Sequence, residues 1–207
     1  MINLRETWNE LLFRYTGKIR LINELWSEIE AAYTQSNRHY HNLAHLEYMV
    51  SKAREYHSSL AGPDIVLFST FYHDIVYHTL RRDSEQKSAG IAQDRLVRIG
   101  LPAEKIRKCY NQIIATKSHK ESVEKDTNFL LDFDLAVLGE SPQQYREYSQ
   151  KIREEFSVYP DFIYNRGRER VLRHFLDMER IFKTKEFYSK YELQAKKNLA
   201  EELERLK

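Results

Sequence analysis

The chain has 207 residues, 42% of them hydrophobic and 31% charged, with Lys and Arg exceeding Asp and Glu by a net charge of +2. That length and balance can bury one good core, so a single globular domain over 1–207 is expected and a disordered chain is excluded. The two signs of charge are interspersed, which leaves no basic stripe for nucleic acid. Cys109 is the only cysteine, so no disulfide closes within the chain. No run approaches the ~18 apolar residues of a membrane span, and the opening MINLRETWNELLFRY lacks the apolar stretch of a secretion signal. A cytoplasmic protein that avoids membranes is the expectation.

Residues 4–32 place Leu4, Trp8, Leu11, Leu12, Tyr15, Ile19, Ile22, Trp26 and Ile29 at three- and four-residue steps. This predicts one long amphipathic helix, or two joined near Gly17. A second helix is expected over Leu43–Leu60, ended by Ala61-Gly62-Pro63, with Pro63 suited to the next first turn. Residues 64–78 are apolar almost all round, as in a buried helix. The polar stretch Leu80–Ser84 leads into a helix ending at Gly100, and Leu101-Pro102 opens another over Ala103–Thr116. A charged loop is expected at Lys117–Asp126, then an apolar segment Phe129–Leu138 ending at Gly139. Ser141-Pro142 starts a helix to about Val158, Pro160 one to about Phe182, and Glu186–Leu206 forms the last. The fold class is therefore all-α, eight or nine helices, with the terminal helices packed on the core. The stripe Phe187, Tyr191, Ala195, Leu199, Leu203 and Leu206 predicts packing against its own domain, with a homodimer seam as the alternative.

Six of the eight histidines lie between His39 and His78. His73-Asp74 is expected in the middle of the most apolar helix, where an unpaired carboxylate costs several kcal/mol or more. A divalent metal compensates for that burial, as does a His-Asp hydrogen bond or a salt bridge to Arg. His41 and His45 stand at i and i+4 and share a face if both are helical. Asp132 and Asp134 are embedded in the apolar run LLDFDLAVLG. Three apolar segments thus each carry ligand-type side chains, and together they favour a metal.

These segments resemble the HD-domain metal-dependent phosphohydrolases, in particular a bacterial single-domain subgroup. The resemblance rests on RHYHNLAH (38–45), FYHDIVY (71–77) and DFDLAVLG (132–139), in that order. It continues in SEQKSA (84–89), GRERVLRHFL (167–176) and AKKNLAEEL (195–203). It implies an HD-type helical bundle and a metal held by His45, His73, Asp74 and Asp134. Asp132 is then structural or supports the ligands from behind. A mixed nitrogen and oxygen site suits Mn, Fe, Co, Ni, Zn or Mg better than Ca. Such an ion activates water and polarises a phosphoryl oxygen, and cationic side chains then face the developing charge. Arg38 is the favoured cation among Arg38, Arg81, Arg82, Lys87, Lys117 and Lys120, although any single one of them is more often a solvated surface charge. Glu85 is implied as a general acid/base, with a helix-capping carboxylate as the alternative. His41 is a candidate for a second metal, for phosphate contact or for supporting the ligands from behind, and His119 for a second metal.

The function expected is hydrolysis of a phosphate ester of a nucleotide or other small metabolite. The alternative is a catalytically silent HD domain that binds metal or a phosphorylated ligand as a sensor or interaction module. A helical interaction protein with structural histidines is a third reading. No Gly-rich phosphate loop or base-recognition motif narrows the substrate.

Overall fold

The computed structural model describes residues 2–206. Among the described residues ten α-helices run in order: α1 (Leu4–Phe13), α2 (Ile19–Tyr33), α3 (Leu43–Glu55), α4 (Pro63–Tyr72), α5 (Ser84–Arg98), α6 (Ala103–Ala115), α7 (Lys125–Leu135), α8 (Pro142–Glu155), α9 (Asp161–Leu176) and α10 (Lys185–Arg205). Short 3₁₀ turns occupy His57–Ser59 and Ala136–Gly139. No strand occurs among the described residues, so the all-α expectation holds. No helix among them is long and apolar enough to cross a membrane.

The count is ten rather than eight or nine because the first amphipathic run forms two helices. The Tyr15 and Thr16 amides both return to the Leu12 carbonyl, and Lys18 then caps α2 in a non-helical conformation. Three further ends come earlier than the periodicity predicts. The helix expected to Leu60 stops at Glu55, and the one expected to Phe182 stops at Leu176. The third is α4, which ends at Tyr72 with His73 as its C-cap, so His-Asp does not sit mid-helix. After that cap the amides leave the ladder. Asp74 N–H donates to the Tyr33 hydroxyl at 3.2 Å, and Val76 N–H to Ser88 Oγ at 3.1 Å.

Contacts divide the chain into two compact units, Met1–Leu130 and Leu131–Lys207, with the division inside α7. In the first unit α4 is the central helix, packed by α3, α5 and α6. Its Val66, Phe68, Phe71 and Tyr72 are fully buried. Trp8 of α1 meets Phe68, Phe71 and Tyr72 edge-on, with centroids 5.1–6.2 Å away. Such pairs add about 0.5–1.5 kcal/mol each beyond the area they bury. The start of α4 is fixed by Asp126, whose carboxylate accepts the Ala61 and Gly62 amides at 2.9 and 2.7 Å. Cys109 is buried beside Ser69, and burial pushes its thiol up to about 12.

In the second unit α10 packs on α9 and on the 3₁₀ turn Ala136–Gly139. Phe187, Tyr191, Ala195, Leu199 and Leu203 of the expected stripe are buried. Gly139 permits the approach: a Cβ there would stand 2.5 Å from Tyr191 Cβ and 2.6 Å from its carbonyl oxygen. Asn198 Nδ2 closes the turn by donating to the Leu138 and Glu140 carbonyls at 2.8 and 2.9 Å. Arg168 of α9 donates both arms of its guanidinium to Glu202 of α10, at 2.7 and 2.9 Å, and Tyr145 of α8 donates its hydroxyl to the same carboxylate.

Candidate metal centre

Two local structures present the donors. Asn42 is the N-cap of α3, and its Oδ1 accepts the Ala44 amide at 2.9 Å. Its Nδ2 donates back to the His39 carbonyl at 2.8 Å, which fixes the turn before the helix. His45 therefore sits in the first turn of α3, 3% exposed. His41 precedes the cap, so the shared helical face expected for His41 and His45 does not form. The turn nevertheless brings their ring centroids to 5.6 Å. The second structure is the end of α4. His73 is 1% exposed, and its Nδ1 lies 2.8 Å from the Thr70 carbonyl oxygen. A carbonyl only accepts, so Nδ1 carries the proton and Nε2 of the neutral ring presents a lone pair.

Three donor atoms then converge. His45 Nε2 and His73 Nε2 are 3.3 Å apart, and His73 Nε2 is 3.1 Å from Asp74 Oδ2. Each of the three residues offers a ligand atom within 4.8 Å of those of the other two, and they form the group of this kind found among the described residues. Metal bonds of about 2.0–2.2 Å, meeting at right or tetrahedral angles, separate neighbouring donors by about 2.8–3.6 Å. The two separations above fall in that interval. The donor chemistry fits as well: two imidazoles and a carboxylate suit a divalent ion of borderline softness. Thr70 supplies the outer hydrogen bond that metal-bound histidines regularly have. His45, His73 and Asp74 could thus hold a metal ion.

The remaining residues singled out from the sequence are placed as follows. His41 Nε2 is 3.9 Å from Asp74 Oδ2, and its ring stacks on Tyr77 with centroids 4.1 Å apart. Arg38 is buried and donates to the carbonyls of His41, Asp74 and Ile75. Glu85 lies in the first turn of α5, 3.6 Å from Lys117 Nζ. Lys117 also donates to the Arg82 carbonyl and to Gln86 Oε1. The N-cap of α5 is Asp83, whose carboxylate pairs with Lys87 at 2.7 Å and makes no capping bond. His119 has a left-handed backbone, φ 49°, in the loop after α6. Asp134 belongs to the second unit and is half-buried in α7. Burial pushes the Tyr148 phenol up, Arg168 opposes that, and the charges of Glu202 and Asp134 add to the rise. Asp132 accepts the amides of Lys183 and Thr184 at 2.8 and 2.7 Å and the Thr184 hydroxyl at 2.6 Å. It anchors the start of α10. Burial pushes its carboxyl up to about 6 against the pull of those hydrogen bonds.

Tyr33, Thr70, Tyr77 and Ser88 shape the site and were not singled out from sequence. Tyr77 alone had a readable signal, since it closes the quoted segment FYHDIVY. Comparison with protein-family models, curated proteins and solved structures finds no match to this chain.

Proposed function

We propose that this protein is a metal-dependent phosphohydrolase of the HD type, acting on a phosphate ester of a nucleotide or another small metabolite. The observation that carries the reading is the convergence of His45 Nε2, His73 Nε2 and Asp74 Oδ2 at spacings suited to one ion. The ordered motifs RHYHNLAH, FYHDIVY and DFDLAVLG support the family assignment, and with it the phosphate chemistry.

On this reading His45, His73 and Asp74 hold a divalent cation. When bound, that cation polarises a phosphoryl oxygen and lowers the pKa of water. The Thr70 carbonyl keeps the His73 proton on Nδ1 and so keeps Nε2 available as a ligand. His41, held flat against Tyr77, is placed to donate to a phosphate oxygen beside Asp74. Glu85 is the general acid/base, which would take a proton from the attacking water and return it to the leaving alkoxide; Lys117 Nζ lies 3.6 Å from its carboxylate.

The test is hydrolysis of a panel of nucleoside monophosphates and small phosphomonoesters by protein loaded with Mn, Co, Zn, Fe(II), Ni or Mg. Turnover is expected with at least one ion. Glu85→Gln should lower it by about 10²–10⁴-fold while metal content is unchanged. Bound metal without turnover on any ester would replace the enzyme reading with a silent metal-binding domain.

A further inference from the structure

The converging donors come from two stretches of chain, and the inner ends of both lie outside regular helix. His45 is in the first turn of α3, behind a non-helical turn at 38–42. His73 caps α4, and Asp74 and Ile75 follow its end. Their carbonyls therefore need partners from elsewhere in the chain. Arg38 supplies them. Its Nη1 donates to the Asp74 carbonyl at 2.7 Å and to the His41 carbonyl at 3.3 Å, and its Nη2 to the Ile75 carbonyl at 3.1 Å. The guanidinium carbon lies 5.0 Å from the Tyr33 ring centroid and 5.7 Å from that of Tyr77. The residue is 5% exposed.

We propose that Arg38 is a positioning residue: its guanidinium clamps the turn bearing His41 and His45 to the turn bearing His73 and Asp74, and so sets the spacing of the metal donors. The inference rests on the metal reading above. It differs from the role expected from sequence, a cation facing phosphate. Three N–H groups of Arg38 are spent on carbonyls, and its Nε–H is buried without a hydrogen bond. Three of the five N–H groups of the guanidinium are thus committed to backbone. The planar fork explains why arginine stands here. Only a guanidinium reaches carbonyls of two segments at once while lying against aromatic rings, and an ammonium is a single point of charge.

The test titrates Co(II), whose visible absorption bands report donor geometry, into the wild type, Arg38→Lys and Arg95→Lys. Arg95 is the control: it pairs with Glu28 at 2.8 Å and ties α5 to α2. Wild type should develop the bands. Arg38→Lys should bind Co(II) about 10–100-fold more weakly, the scale for losing a partner behind the ligands, with shifted bands. Arg95→Lys should match wild type in both readouts. If Arg38→Lys loses its helical circular dichroism, Arg38→Gln or Tyr77→Leu carries the same comparison. A folded Arg38 variant that titrates like wild type overturns the positioning role and leaves the metal reading standing. A wild type that develops no bands overturns both.

Discussion

Each unit of this protein buries a cluster of charged and polar groups, and the two clusters follow different plans. In the second unit Arg168 and Glu202 face each other in a forked ion pair, with Tyr145 donating to the same carboxylate. Cation meets anion and donor meets acceptor, so the cluster is closed on itself. In the first unit two imidazole nitrogens and a carboxylate oxygen point at a common place. The charged guanidinium nearest to them in sequence, Arg38, spends its donors on backbone carbonyls. All three residues can offer lone pairs, and the group could hold a metal ion. Burial of charge is common to both clusters. The direction in which the groups point separates a closed network from a candidate site.

The comparison can be broken most forcefully at the donors. His73→Ala and His45→Ala should each weaken divalent-metal binding by more than the ~10–100-fold typical of outer partners. Glu202→Ala should leave metal binding unchanged, as read by isothermal titration of both proteins. Next in size is stability. Glu202→Ala leaves the Arg168 guanidinium buried and uncompensated, which should cost about 3–5 kcal/mol in urea unfolding. Gly139→Ala forces a methyl onto Tyr191 and should cost about 1–3 kcal/mol in the same assay.

The smallest effect is a pH slope. Burial alone would push the Glu202 carboxyl up, but the Arg168 guanidinium and the hydrogen bonds from Tyr145 and Ser149 reverse this and hold it below its ordinary value of 4.5. The folded state therefore binds its proton less readily than the unfolded state does. The contribution is complete above about pH 4.5 and is lost as pH falls through the lower, folded value. Stability should drop below pH 4.5 in wild type, and Glu202→Gln should flatten that drop. An unchanged slope in the variant would mean that the pair is not what acid breaks.

The difference between the clusters was partly legible in the sequence. His45, His73 and Asp74 stood out because ligand-type side chains interrupted apolar runs, and the structure brings these three together. The end of α4 was not legible. Ile75, Val76 and Tyr77 continue the apolar pattern past His73, so periodicity alone extends the helix. Tyr33 and Ser88, distant in sequence, take the amides of Asp74 and Val76 out of the ladder. The carbonyl partners of Arg38 were not legible for the same reason, since those of Asp74 and Ile75 become available only where the helix has ended. Asp132 and Asp134 are alike in local pattern, and only the family resemblance set Asp132 apart as structural or supporting. The backbone turn at Lys183–Thr184, which no local pattern marks, gives Asp132 its anchoring role.

The most direct test of the central claim is elemental analysis of untagged wild type beside Asp74→Ala, after equilibration with Mn, Zn or Fe(II) and removal of free ion. The account predicts about one transition metal per wild-type chain, and its loss from the variant while helical circular dichroism is retained. Metal absent from both proteins, or equal in both, would contradict it and leave His45, His73 and Asp74 as a buried structural group.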